Sequence, residues 1–100
     1  MKENLLKIIN NYGVLPQLKH FQSEVFELNE AIIRKEIEYQ FCETTVKKDR
    51  ENLEHIVEEI ADCYVMLNQF QLYYGIENKQ IEETMKFKID RQLKRINKDN

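Results

Sequence analysis

The sequence predicts an all-α protein, an antiparallel helical bundle of about four helices that is completed by homo-oligomerisation. Only two glycines and one proline occur in 100 residues, which leaves little material for β-hairpins and favours helices. Apolar residues recur at three- and four-residue steps along most of the chain, as on the packed face of a helix. Residues 1–100 are expected to form a single domain, and a chain of this length buries only a modest core unless it self-associates.

A glycine and a proline delimit the first two helices. Residues 2–12 are predicted to form a short helix that ends near Gly13. A second helix is predicted from Pro16, a favoured first-turn residue, to about Phe41. Its apolar residues form two stripes, which predicts packing on two sides, in the middle of a bundle or at a subunit interface. One stripe comprises Leu18, Phe21, Val25, Leu28 and Ile32, and the other comprises Phe26, Ile33 and Ile37.

The last two helices follow a polar stretch at residues 43–50, which is predicted to be a loop. The third helix is expected over residues 52–74, and because it is apolar almost all round past Ile60 it should be the most buried element. Gly75 is its predicted C-cap, and Asn78 is predicted to cap the fourth helix. The apolar repeat of that helix comprises Ile81, Met85, Ile89, Gln92 and Ile96. The second and third helices are expected to pack antiparallel.

Composition and cysteine usage are those of a soluble globular protein. Hydrophobic residues make up 42% of the chain and charged residues 33%. Cys42 and Cys63 lack the spacing and the neighbours of a zinc site, so they are expected to be reduced thiols. The chain starts without a long apolar segment, and no apolar run reaches the roughly 20 residues that a membrane span needs. We therefore expect a cytoplasmic protein without membrane insertion.

The net charge of −3 argues against general nucleic-acid binding, but the charge is unevenly spread. Residues 1–78 hold eight Lys or Arg and fourteen Asp or Glu, whereas residues 79–98 hold seven and three. Such a basic last helix is either an ordinary solvated surface or a nucleic-acid arm. It also suits an anionic ligand that is held between a metal ion and cationic side chains.

Two pairs of acids stand three residues apart inside helical, apolar segments: Glu24 with Glu27, and Glu59 with Asp62. Residues three apart share a helix face, so each pair can aim both carboxylates at one point. Acids on an outer face would be ordinary solvated charges, but both pairs border the predicted core, and Asp62 is expected to be buried. Four oxygen ligands on two adjacent helices fit Mg²⁺, with Mn²⁺ as the alternative.

The histidines do not support a different metal. A di-iron carboxylate site in a helical bundle needs Glu-x-x-His on two helices. The residues three before His20 and His55 are Gln17 and Asn52, so the chain does not meet this requirement. Both histidines are therefore expected to be surface or packing residues.

The acid pairs belong to a longer series of motifs within residues 15–96. A Glu-x-x-Glu lies on one helix, a Glu-Glu-x-x-Asp on the next, and a basic helix follows. The segments concerned are residues 17–18, 24–28, 58–62, 74–76 and 88–96. In these segments the chain resembles the MazG-like branch of the all-α nucleoside triphosphate pyrophosphohydrolases. It departs from the family pattern at Ser23, where many relatives have an acid, and in the longer gap of 31 residues between Glu27 and Glu59.

The resemblance implies a Mg²⁺-dependent enzyme that cleaves an NTP or dNTP between its α and β phosphates, for house-cleaning or control of the nucleotide pool. The implied metal ligands and catalytic residues are Glu24, Glu27, Glu59 and Asp62, whereas the role of Glu58 is open. The implied phosphate-binding residues are Lys88, Arg91 and Arg95. Family members assemble as homodimers or homotetramers whose sites use neighbouring chains, which agrees with the two apolar stripes of the second helix.

Other interpretations stay open. A non-catalytic helical protein would use the basic last helix to dock an acidic partner or nucleic acid. A degenerate family member would bind nucleotide as a sensor without turnover. Three aromatic residues are candidates for stacking on a nucleotide base, but their helical core spacing favours packing instead. They are Phe21, Tyr64 and Phe70.

Overall fold

The computed structural model describes the backbone of residues 1–41 and 45–99 and the side chains of residues 1–37 and 45–98. Over these residues the chain is all-helical, which confirms the predicted class. The helices are α1 (Lys2–Tyr12), α2 (Val14–Phe41), α3 (Val46–Tyr73) and α4 (Asn78–Asp99). None of the described helices combines the length and the hydropathy that crossing a bilayer requires.

Helix α3 begins earlier than the sequence predicts. The expected loop at residues 43–50 is wrong from Val46 onward, because Thr45 caps the helix there. Its Oγ1 accepts a hydrogen bond from the backbone N–H of Lys48 at 3.1 Å. Polar residues that suggested a loop instead form the first, largely solvated turns of the helix. Residues 42–44, including Cys42, lie outside the described residues.

Helices α2 and α3 pack antiparallel, as predicted. Gln17 near the start of α2 contacts Gln69 near the end of α3. Lys35, further along α2, pairs with Asp49 in the first turn of α3. Residue numbers therefore rise along α2 as they fall along α3. This arrangement brings the middle of α2, with its acid pair, opposite the middle of α3.

Helix α1 closes one end of this pair. It contacts both α2 and α3, and its Ile9 is fully buried. The backbone then turns at Gly13, whose φ of 91° lies in the range that favours glycine and whose N–H donates to the carbonyl of Ile9 at 2.7 Å. Because α2 starts directly after this turn, α1 folds back against the first turns of α2.

One face of α3 is buried and the other is not. Among the described helices α3 carries the most buried side chains: Glu59, Cys63, Met66 and Gln69. On its opposite face, Tyr64 is 63% exposed and Leu67 49% exposed. The expectation that α3 is the most buried element thus holds for one stripe only, since a single chain supplies no helix to cover the second.

Helix α4 stands apart from the other three. In the described part of the chain it does not pack against α1, α2 or α3 beyond its first residue, and its side chains from Asn78 to Lys98 are all exposed. The turn before it uses Gly75, with a left-handed φ of 66°. Asn78 is the first residue of α4, and its Oδ1 accepts a hydrogen bond from Gln71 Nε2 at 2.6 Å. Gly75 and this hydrogen bond therefore fix the turn, even though the rest of α4 does not pack against the other described helices.

The resulting molecule is more open than a compact chain of its size. Its radius of gyration is 17.5 Å, against about 13 Å for a compact domain of this length. Its accessible surface is 8543 Å², whereas a folded monomer of 12.2 kDa exposes roughly 6,100 Å². Much of the difference lies in apolar helix faces that a single chain leaves uncovered.

Candidate metal centre

Three glutamates converge between α2 and α3. Glu24 and Glu27 are one helical turn apart on α2, and Glu59 faces them from α3. One carboxylate oxygen of each residue lies within 4.8 Å of the corresponding oxygens of the other two. The structure therefore brings together three of the four acids that the sequence singled out, and the antiparallel register of α2 and α3 is what places them there.

Two of these carboxylates are buried and incompletely bonded. Glu59 is 6% exposed, and the side chain of Glu24 is 13% exposed. The Oε2 atoms of both are shielded from solvent and have no hydrogen-bond partner in the part of the chain that the structure describes. A buried oxygen without a partner is unfavourable for an ionised carboxylate, and a cation between the helices would satisfy both atoms. The residues present thus fit a divalent cation that prefers oxygen ligands.

Burial and crowding raise the pKa of both glutamates. Burial is the main cause for Glu24, followed by the charges of Asp62 and Glu27. Burial is also the main cause for Glu59, followed by Glu27 and Asp62. Burial raises the pKa of the Cys63 thiol as well, with Glu24 as the next cause, and this cysteine is free. Without a cation, Glu24 and Glu59 thus bind protons more readily than ordinary glutamates do.

Asp62 differs from the prediction in its surroundings. The sequence places it in an apolar run, yet its side chain is exposed, because it points away from the buried stripe of α3. It is not among the oxygens that lie within 4.8 Å of one another. Asp62 does line a cavity together with Glu24, and its charge raises the pKa of Glu24 and Glu59. It borders the centre from the solvent side.

Each buried glutamate is contacted by a histidine that the sequence analysis assigned to the surface or to packing. His20 Nε2 lies 3.2 Å from Glu24 Oε1, and His55 Nε2 lies 3.9 Å from Glu59 Oε1. Both histidines stand four residues before their glutamate, a spacing that is visible in the sequence. When protonated, they offset part of the repulsion between the carboxylates, and the charge of His20 lowers the pKa of Glu24.

A cavity of about 590 Å³ opens beside the glutamates, between α1, α2 and α3. Its lining includes Glu24 and Asp62 at one end and the amides of Gln17 and Gln69 elsewhere. Sequence reasoning missed it, because its walls come from three helices. The only available clue was a pair of glutamines within apolar stripes, and a glutamine pattern alone does not reveal burial.

The aromatic residues divide into core and surface. Phe21 and Phe70 pack edge to face, with ring centroids 5.8 Å apart, which fits the packing role expected for them. Tyr64 is 63% exposed, so it does not share that role within one chain. None of the three lines the cavity beside the glutamates.

The basic residues predicted to hold phosphates lie on α4. Lys88, Arg91 and Arg95 are all exposed, and Arg91 lies over the ring of Phe87 at 5.9 Å from its centroid. Since α4 does not pack against the described parts of α1, α2 and α3 beyond Asn78, the single chain does not bring these cations to the glutamates. Glu58 is also exposed.

The chain matches no protein-family model, no curated protein and no solved structure at a significant level.

Proposed function

We propose that this protein is a Mg²⁺-dependent nucleoside triphosphate pyrophosphohydrolase that converts an NTP or dNTP to the monophosphate and pyrophosphate. The observation that carries the proposal is the convergence of Glu24, Glu27 and Glu59, with two buried carboxylate oxygens that lack a partner. The resemblance of the motifs to the MazG-like family supports the same reaction. Its role would be house-cleaning or control of the nucleotide pool.

The chemistry of the ligands selects the type of metal. The converging atoms are carboxylate oxygens, which Mg²⁺ and Mn²⁺ prefer, whereas zinc and iron sites usually include imidazole or thiolate ligands. His20 Nε2 lies 3.2 Å from Glu24 Oε1, so His20 is placed to orient that carboxylate, whereas His55 Nε2, at 3.9 Å from Glu59 Oε1, is too far for a hydrogen bond. Glu24, Glu27 and Glu59 would hold the cation, and Asp62 would complete the ligand set from the solvent side.

The side chains of the centre have two tasks in this reaction. They hold the cation beside the cavity, and one carboxylate accepts the proton of the attacking water. When bound, Mg²⁺ would supply positive charge that offsets the charge of the phosphate oxygens, and Lewis acidity that assists in-line attack of water on the α phosphate. Without it, the clustered carboxylates would repel a polyanionic substrate.

A second copy of the chain would complete the site. Lys88, Arg91 and Arg95 match the phosphate-binding positions of the family, but in the described part of the chain α4 packs against neither of the helices that carry the glutamates beyond Asn78. In a homodimer or homotetramer, α4 of one chain would bring its positive charge to the acidic centre of another. This complementarity explains an exposed basic helix on an otherwise acidic chain.

The test is a panel of ribo- and deoxyribonucleoside triphosphates with Mg²⁺, assayed separately for pyrophosphate and orthophosphate. We expect pyrophosphate release that requires Mg²⁺. Glu24→Gln should abolish it, whereas Glu30→Gln, a matched change at an exposed position on the same helix, should not. Mg²⁺ at a hundredfold its Kd should also stabilise the wild-type protein by about 2.7 kcal/mol. Absence of both effects would refute the proposal.

The exposure of α4 favours a second candidate, a non-catalytic helical interaction or nucleotide-binding protein. An unpacked basic helix is suited to an acidic partner or to nucleic acid. Oligonucleotide binding that weakens steeply with salt, together with no response to Mg²⁺, would favour this candidate. Tight triphosphate binding without turnover would instead indicate a nucleotide sensor.

A further inference from the structure

The cavity beside the glutamates has the composition of a pocket for a flat ring. Part of its lining is apolar and comes from Ile8 of α1, Pro16 of α2, and Val65 and Met66 of α3. Tyr12 also lines it and is 61% exposed, so its ring is free to cover a bound group. A volume of about 590 Å³ lies in the usual range for small-molecule sites.

Two buried amides line this apolar pocket. Gln17 is 8% exposed and Gln69 is 1% exposed. Gln17 Nε2 donates to Gln69 Oε1 at 2.9 Å, and Gln69 Nε2 donates to Met66 Sδ, a weak acceptor, at 3.7 Å. A glutamine amide offers two N–H donors and an oxygen with two acceptor positions, so these bonds use only part of what the pair offers. The unused donors and acceptors of the two amides suit a ligand that has a hydrogen-bond donor next to an acceptor along one edge.

The position of the pocket, beside the acidic centre, suits a nucleotide. Glu24 and Asp62 belong both to the pocket lining and to the acidic centre, so one end of the pocket lies beside the cation that would hold phosphates. A ligand with a triphosphate at that end and a planar heteroaromatic ring at the other would fill both. The apolar walls, the exposed tyrosine and the amide pair are the features that recognise such a ring.

We propose that this pocket binds the base of the nucleotide, and that Gln17, fixed by Gln69, reads the hydrogen-bonding edge of that base. The inference rests on the proposed function for the identity of the substrate and adds the site that determines its specificity. The amide of Gln17 forms paired hydrogen bonds with the base, and Tyr12 stacks on its face. Base preference is therefore set by residues of α1, the start of α2 and the end of α3, at the opposite end of the pocket from Glu24 and Asp62.

The inference is tested without metal and without turnover. Free nucleosides carrying each of the common bases are titrated into ¹⁵N-labelled protein in the presence of a chelator, and binding is followed by NMR. At least one nucleoside should shift the resonances of Tyr12, Gln17 and Gln69 in a saturable way. Gln17→Met should weaken that binding about tenfold, as expected for a lost hydrogen bond, and should reduce the differences between bases. Gln22→Met, the same change at an exposed position of α2 outside the pocket, should leave the affinity unchanged.

A second variant keeps the test decisive if Gln17→Met does not fold. Val65→Phe places a larger ring at the pocket wall, at a position that is 42% exposed, and leaves both amides intact. It should abolish nucleoside binding. The inference is overturned if no nucleoside shifts the pocket resonances at millimolar concentration, if the shifts lie elsewhere, or if Val65→Phe binds nucleosides normally.

The outcome is separable from that of the proposed function. Nucleoside binding in the pocket without any Mg²⁺-dependent cleavage would refute the enzyme and retain the base site. Mg²⁺-dependent cleavage without nucleoside binding in the pocket would retain the enzyme and overturn the base site.

Discussion

Glu59 is the residue on which the candidate centre depends most. It is the most buried of the three converging acids, it comes from a different helix than the other two, and its Oε2 has no hydrogen-bond partner among the described residues. Within the same residues the ion-pair partner of its carboxylate is His55, whose Nε2 lies 3.9 Å from Oε1. A buried, unpaired carboxylate in this position lowers the stability of the metal-free protein, and in the proposed enzyme it would hold the cation.

Glu59→Gln should abolish turnover and leave a folded protein, since the amide keeps the size of the side chain and removes the charge that binds the cation. Its metal-free Tm should be equal to or higher than that of the wild type, because one repelling charge is gone. The Mg²⁺-induced rise in Tm should be lost. Calorimetry with and without Mg²⁺ measures both effects.

Glu58→Gln is the matched control, since it makes the same change one residue earlier at an exposed position. It should retain the Mg²⁺-induced rise in Tm. Wild-type activity of Glu59→Gln at limiting Mg²⁺ would remove Glu59 from the set of ligands, and the same experiment on Asp62→Asn decides whether that exposed acid belongs to it.

The raised pKa values of Glu24 and Glu59 predict how the stability of the metal-free protein depends on pH. Because the folded state holds these protons more tightly than the unfolded state, their stabilising contribution is complete below the ordinary pKa of 4.5. It is lost as the pH rises through the raised pKa of the folded state. The Tm in chelator should therefore fall over this interval by more in the wild type than in Glu59→Gln. Equal slopes for the two proteins would contradict the prediction.

At this scale the sequence predicted half of the site. The spacing of Glu24 and Glu27 on one helix fixed their common face, and the placement of Glu59 opposite them followed from antiparallel packing. The contact between Gln17 and Gln69 was not predictable, because it depends on the register between two helices. The exposure of Asp62 was also missed, since an apolar sequence run does not show which face of the helix is covered.

At the scale of elements, α4 is the helix that packs least against the rest of the described chain. It has the repeat of an amphipathic helix, yet no described helix covers its apolar residues. Ile81 is 39% exposed and Ile96 is 54% exposed. Its seven Lys and Arg residues are therefore available to a ligand or to another chain.

Arg91→Ala and Lys88→Ala should each reduce kcat/KM at least tenfold without changing the Mg²⁺-induced rise in Tm. A cation that contacts the phosphates contributes to substrate binding and not to metal binding, and a lost charge-assisted hydrogen bond is typically about 1.5 to 3 kcal/mol. Steady-state kinetics with the best triphosphate, together with thermal unfolding, separates the two effects.

Lys86→Ala serves as the control, because it removes a positive charge from an exposed position of α4 that lies outside the motif. It should stay within about twofold of the wild type. If Arg91→Ala and Lys88→Ala also stay within that range, the basic helix is a solvated surface and another group holds the phosphates.

The order and type of the helices followed from the sequence, whereas the start of α3 and the position of α4 did not. The start of α3 was placed about six residues late, since a polar composition obscured the Thr45 cap. That α4 leaves the other helices was not predicted either. Periodicity shows that a helix has an apolar face, but it does not show which chain covers that face.

At the scale of the whole molecule, the uncovered apolar surface is the main feature. The second stripe of α2 is exposed as the sequence implied, with Phe26 at 62%, Ile33 at 46% and Ile37 at 48%. The exposed faces of α3 and α4 add to it. The excess over a compact monomer, roughly 2,400 Å² per chain by the scaling of surface with mass, is comparable to the area buried in obligate assemblies.

Sedimentation at micromolar concentration should therefore show a homodimer or homotetramer. Ile33→Glu places a charge in the centre of the exposed stripe of α2, so it should shift the protein toward the monomer and lower its Tm. Asn10→Glu, which adds the same charge to the exposed face of α1, should do neither. A stable wild-type monomer at this concentration would overturn the prediction.

The separation of α4 has a consequence for how the protein responds to dilution. Most of the stability of a helix in a protein comes from the packing of its apolar face, and the crowded positive charges of α4 oppose its formation. In the proposed assembly, its helicity would therefore come largely from a neighbouring chain. On dilution below the dissociation constant of the assembly, the circular dichroism at 222 nm should fall by about the share of one helix in four, while α1, α2 and α3 stay folded. Catalysis would be lost over the same concentration range. Because α4 would fold only in the assembly, the specific activity of the enzyme would depend on the protein concentration.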